Sequence, residues 1–163
     1  MAKTFDLDTS PSHLLRRASQ HANDSYTDEL EDGGLTQRQL AVLFAVDQED
    51  GVSQTVLVQK TGIDRSTLAD MIVRMQKKDL LGRKRTEEDA RANSVRITTT
   101  GRRALKAAMP AMLASEAAIL DALPARARND FIKCLTAIAA AQAKKQAADE
   151  ESGKAANRKK RKT

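Results

Sequence analysis

Aromatic side chains are almost missing from this chain: no Trp, one Tyr and three Phe among 163 residues. A core must therefore be filled by Ala, Leu, Val, Ile and Met, a composition that suits helices packed through aliphatic side chains. Cysteine is reduced to Cys134 alone. That excludes an internal disulfide and fits a reducing compartment. No apolar run is long enough to span a bilayer, and the opening MAKTFDLDTSPS lacks a signal-peptide pattern. The expectation is a soluble, cytoplasmic protein with no membrane partner. Chemical signatures are missing too. There is no HExxH, no Cys/His pair, no phosphate loop and no nucleophile–base spacing. The sequence thus predicts neither a metal site nor a cofactor nor an enzyme. Its length suits one domain around one core.

Charge is present and unevenly spread. The net charge is +6. Residues 1–50 hold ten acidic side chains against four basic ones, whereas residues 144–163 hold eight basic against three acidic. The C-terminal stretch therefore supplies most of the excess, and the overall basicity says little about nucleic acid. Residues 83–103 are more telling. Arg83, Lys84, Arg85, Arg91, Arg96, Arg102 and Arg103 crowd there against Glu87, Glu88 and Asp89. A local cationic stripe is what a phosphate backbone attracts.

The elements follow from caps and periodicity. Ser10-Pro11 reads as a helix start, and Asp32-Gly33-Gly34 as its stop near Glu31. Thr36 and Gln39 have capping-box spacing and open a second helix with Leu40, Leu43, Phe44 and Val46 on one face. Ser53 caps a short helix from Gln54 to about Lys60, closed by Thr61-Gly62. Asp64 caps the next, whose buried stripe is Leu68, Met71, Ile72 and Met75 and which runs to about Leu80–Gly82. Two such helices joined by a short Gly-containing turn are a helix-turn-helix candidate. Strand candidates 83–86 and 94–98 follow, with a polar, charged tip between them. A hairpin in that place is a wing. The fold class predicted is mostly α, a winged helix-turn-helix with a two-stranded wing and flanking dimerisation helices.

Thr98-Thr99-Thr100-Gly101 starts a long helix to about Leu123 with Pro110 inside it, a position that removes a backbone donor and invites a kink. Pro124 opens a last helix with Phe131, Leu135 and Ile138 at helical spacing. Residues 1–9 read as an arm, 10–147 as one domain with the winged part at about 35–98, and 148–163 as a basic disordered tail. The helices at 10–31 and 99–147 keep apolar faces outside the winged part. A second copy of the chain is the simplest cover, and a two-fold dimer would present two recognition helices to a pseudo-palindromic duplex.

At this point the order of motifs resembles the MarR family of regulators. LTQRQLAVL, the helix pair, and DARANSVRITTTGRRAL with its Asp-x-Arg wing and Thr-x-x-Gly-Arg carry the likeness, over about residues 10–145. SPSHLLRRASQHAND and LTQRQLAVLFAV further resemble its hydroxycinnamoyl-CoA-responsive repressors. The resemblance implies a DNA-binding repressor of aromatic catabolism, released by a small aromatic effector, in one version its CoA thioester. It implies DNA contacts from Ser53 and Gln54, and from Asp64, Arg65, Ser66 and Thr67 at the start of the recognition helix. It makes Arg91 the wing arginine and pairs Asp89 with Arg74. Asp79 departs from the pattern, because the family places Gly there.

Elementary physics supports parts of this. A helix N-terminus attracts phosphate, Arg65 has the fork that reads guanine, and an Arg on a hairpin tip suits a narrow minor groove. For the effector, His13, Arg17 and His21 share a helix face beside Arg16, and with Tyr26 and Arg38 they outline a candidate pocket between this helix, the Arg38 helix and a dimer partner. Each group also has a plain reading: a solvated helix start, surface charges on a turn, an interface-lining stripe. Two other functions stay open: an oxidant switch at Cys134, against an inert role in the core, and an architectural DNA protein led by the RKKRK tail.

Overall fold

The computed structural model describes residues 5–30, 34–49, 51–84 and 94–160. Helix α1 spans Pro11–Asp28, α2 Gln37–Gln48, β1 Val52–Ser53, α3 Gln54–Thr61 and α4 Arg65–Lys77. Then come β2 Leu81–Lys84, β3 Ser94–Ile97, α5 Thr99–Asp121 and α6 Ala125–Lys160. The helices are mostly where the caps place them. Thr36 and Gln39 form the reciprocal capping box, with Thr36 Oγ1 accepting from the Gln39 amide at 3.3 Å and Gln39 Oε1 accepting from the Thr36 amide at 2.9 Å. Ser53 and Asp64 cap α3 and α4. Gly62 closes α3 at φ +68°, its amide bonded to the Val58 carbonyl at 2.9 Å. Pro11 stands in the first turn of α1 as expected, but the Ser10 side chain makes no cap bond there and faces the Ser12 hydroxyl instead.

The core is aliphatic, as the lack of aromatics requires. Leu40, Leu43, Val46, Leu57, Leu68 and Met75 are all at most 1 % exposed, and α2 packs on α3, α5 and β3 around them. The expected stripe of α4 is buried in full. The sheet has three strands in the order β1-β3-β2, all antiparallel. Val52 pairs with Val95, and Leu81 with Ile97. β1 went unseen in the sequence because two residues carry no alternation.

Four boundaries differ from expectation. α1 ends at Asp28, not near Glu31. α4 stops at Lys77, short of Leu80, because Asp79 turns left-handed (φ +53°) and closes the helix. The amide of Leu80 then reaches the Met75 carbonyl at 2.9 Å and that of Asp79 the Gln76 carbonyl at 3.0 Å, the double bond pattern of a Schellman stop. β2 therefore begins at Leu81, two residues ahead of the expected strand. Finally, α6 continues to Lys160, past the expected end at 147 and through the stretch read as a disordered tail. Ala, Lys, Arg and Glu dominate that stretch and are strong helix formers, and Gly153 costs about 1 kcal/mol.

Candidate DNA interface and effector groove

The start of α4 is an exposed, pre-ordered turn. Asp64, Arg65 and Ser66 are exposed and Thr67 is half-buried. Asp64 Oδ1 accepts from the Thr67 amide at 2.9 Å and from the Ser66 hydroxyl at 2.7 Å. The Thr67 bonds, then that of Ser66, hold the Asp64 carboxyl well below the usual carboxylate range, so it is ionised at neutral pH. Its charge takes up an amide that the sequence reading offered to phosphate. The Arg65 guanidinium donates to Thr55 Oγ1 of α3 at 3.4 Å. Ser53 and Gln54, at the start of α3, are half-buried. Thr55 was not expected, since a lone Thr in a helix carries no spacing signal. Arg74 is exposed on α4. Asp89 and Arg91 lie outside the described residues.

The joint behind α4 is tightly made. The Thr98 hydroxyl donates to the Asp79 carbonyl and accepts from the Gly101 amide at 2.9 Å, and Thr100 donates to Asp79 Oδ2 at 2.9 Å. A Cβ on Gly101 would lie 2.1 Å from the Leu80 carbonyl oxygen. Thr-x-x-Gly is thus the contact that seats α5 on the stop of α4. Arg102 adds an ion pair to Asp47 of α2 at 2.7 Å.

The six expected effector residues do not form one pocket within the chain. His13, Arg16, Arg17 and His21 line one groove of about 500 Å³ with Gln20 and Asp24. All of its walls come from α1, so it opens outward. Arg38 lines another groove, of about 280 Å³, beside Thr61, Gly62 and Asp64. Tyr26 is 1 % exposed, and its hydroxyl donates to the Leu35 carbonyl at 2.8 Å. Burial raises its pKa, and its role is to tie α1 to the start of α2. Cys134 is exposed, not in the core. Among the described residues no cluster suits a metal ion, and no helix is long and apolar enough to cross a membrane.

The MarR family model matches residues 33–92, the stretch from α2 to the wing. HosA, a transcriptional regulator of Escherichia coli O157:H7, is 31% identical over 121 residues, covering 74% of this chain and 88% of HosA. The chain belongs to the MarR family of transcriptional regulators. This MarR regulator also resembles PcaV of Streptomyces coelicolor, solved in complex with its natural ligand. That match has a TM-score of 0.78 at 30% identity and covers 86% of this chain and 99% of PcaV. BpsR of Bordetella bronchiseptica, whose DNA binding is regulated by 6-hydroxynicotinic acid, gives a TM-score of 0.77 at 25% identity, over 83% of this chain and 96% of BpsR. The winged helix-turn-helix class is that of these neighbours, and the relatives are transcriptional regulators.

Proposed function

We propose that this MarR regulator is a homodimeric repressor that binds a pseudo-palindromic operator through α4 and its wing and leaves it when an aromatic acid binds. The observation that carries the DNA half is the exposed first turn of α4, where Asp64 fixes Ser66 and Thr67 while Arg65 is held toward α3. Asp89 and Arg91 of the wing add the second contact in this reading, with Arg74 supporting Asp89. The dimer reading is supported by apolar side chains that one chain leaves in water: Leu14 and Leu15 on α1, Leu113 on α5, and Ile132 and Ile138 on α6.

The effector half rests on the α1 groove. Its two Arg and two His suit a carboxylate with an aromatic ring, and a groove walled by one helix needs the partner chain to enclose a ligand. The regulation of BpsR by an aromatic acid supports the same class. The CoA thioester version needs several cations for its phosphates. Arg16 and Arg17 are together, while Arg38 lines a different groove, so the free acid is the better-supported form. Hydroxycinnamate-type acids are the first to try.

The test is a gel-shift titration of operator DNA with and without hydroxycinnamates and their CoA thioesters, alongside thermal shifts, since a ligand of the folded state raises apparent stability. Release by the acid that Arg16→Ala/Arg17→Ala abolishes supports the reading; release that the double variant leaves intact overturns the groove. Because Cys134 is exposed, oxidant-driven release is the second reading, and retention of that release in Cys134→Ser rejects it.

A further inference from the structure

The far end of α6 has no task in the core. Its last large apolar side chain is Ile138, and from residue 139 to residue 163 no apolar side chain larger than Ala occurs. The helix nevertheless runs on to Lys160, so residues 139–160 make a rod of about 33 Å. Residues 132–142, which lead into it, are all exposed in one chain. Such a rod cannot cover a core. What it carries is charge.

That charge is concentrated at the tip. Residues 152–163 contain six cations and no anion. Lys154 comes four residues after Glu150, a spacing that balances charge along a helix. Arg158, Lys159, Lys160, Arg161 and Lys162 have no such neighbour, since the nearest acid, Glu151, is about two turns back. Cations suit a helix C-terminus, whose dipole amounts to about half a charge. Five in succession exceed that and repel one another. An external polyanion relieves the repulsion.

We propose that Arg158 to Lys162 form a clamp on duplex DNA that grips backbone phosphates beside the operator half-sites. Composition selects this partner. A helix that lies on a membrane needs Trp, Phe or Leu to enter the lipid, and a single-strand binder needs aromatics on which bases stack. Residues 139–163 contain neither. Arg and Lys without apolar or aromatic companions suit the duplex backbone, whose phosphates they neutralise with release of counterions and without reading sequence. In a two-fold dimer one clamp falls on each flank. The proposal rests on the operator reading of α4 only for where the clamp falls. The grip itself is on any duplex.

The test compares the full-length protein with Arg158→Gln/Lys159→Gln/Lys160→Gln/Arg161→Gln/Lys162→Gln, in which Gln keeps the helix propensity. Fluorescence anisotropy is read at several salt concentrations on three duplexes. These are a core operator of about 20 bp, the same core with about 15 bp added on each side, and a duplex of the longer length and unrelated sequence. The parent should prefer the flanked operator to the core about tenfold, and the variant should lose that preference. On both long duplexes the variant's slope of log affinity against log salt should be shallower by about 3–5, at about 0.9 for each phosphate neutralised. On the core operator the two proteins should agree, and hydroxyl-radical footprints of the variant should lose protection on both flanks. Equal slopes and affinities on the long duplexes overturn the clamp, as does a loss confined to the core operator. So does parent-only binding to poly(U) or to phosphatidylserine vesicles with duplex binding unchanged. A parent that does not prefer the operator to unrelated sequence sinks the α4 reading instead, and the slopes on the unrelated duplex still decide the clamp.

Discussion

Two residues show how closely a side chain's work depends on its burial. Tyr26 is the chain's one Tyr, and its phenol sits in the core on the Leu35 carbonyl. Tyr26→Phe keeps the ring and removes that donor, so a buried carbonyl loses its partner. The expected cost is about 1–2 kcal/mol in urea unfolding, with any effector response retained. Asp64 works at the surface. Its carboxyl is depressed by the Thr67 and Ser66 bonds. A depressed acid adds stability above its unfolded pKa of about 4, and that contribution drains away as the pH falls through and below that value. Melting temperatures measured from about pH 6 to pH 3 should therefore fall less steeply in Asp64→Asn than in the parent. Equal slopes would mean that the cap does not hold. Arg65 completes the residue scale. Arg65→Ala should weaken operator binding by about ten- to a hundredfold and relax one base position in a binding-site selection.

At the scale of elements, the joint between α4, β2 and α5 is the part to disturb. Gly101 has no room for a Cβ against the Leu80 carbonyl. Gly101→Ala should cost about 3 kcal/mol, because backbone and not a pliable side chain must give way. Asp79 is the opposite case. It holds a left-handed turn that Gly takes without cost, but its carboxylate accepts from Thr100. Asp79→Gly should come out near neutral, and Asp79→Ala about 1 kcal/mol worse than the parent, as both strain and the lost bond count against it. The same joint marks where the sequence was readable. Thr36, Ser53, Asp64 and Gly62 announce their helix ends through side chains or a missing Cβ that act within a few residues. The stop at Asp79 was hidden because Asp rarely takes that conformation, and the seat of Gly101 because its obstacle lies far off in the chain. Burial was hidden in the same way. Tyr26 looks like a polar group free to meet a ligand, yet packing buries it, while Arg38 stays exposed and lines a different groove. The length of α6 was underread because helix propensity without an apolar stripe resembles disorder.

For the whole molecule, one chain leaves too much apolar surface on the helices outside the winged part. Leu113 is 62 % exposed and Ile138 52 % exposed, on helices otherwise built to the same aliphatic plan as the core. α6 at 36 residues is about 54 Å long, far more helix than α5 covers. The proposed dimer accounts for that surface, and it also accounts for operator affinity. Two reading heads on one body bind the second half-site at a high effective concentration, so loss of the dimer costs far more than half the affinity. Leu135→Glu/Ile138→Glu places charge on the exposed stripe of α6 without touching the winged part. Sedimentation velocity should then show the monomer, and gel shifts on a two-half-site operator should weaken at least a hundredfold, while the helical signal of the fold remains. Dimers that persist in this variant, with unchanged operator affinity, would move the interface away from this stripe of α6 and onto the exposed Leu14, Leu15 and Leu113 of α1 and α5.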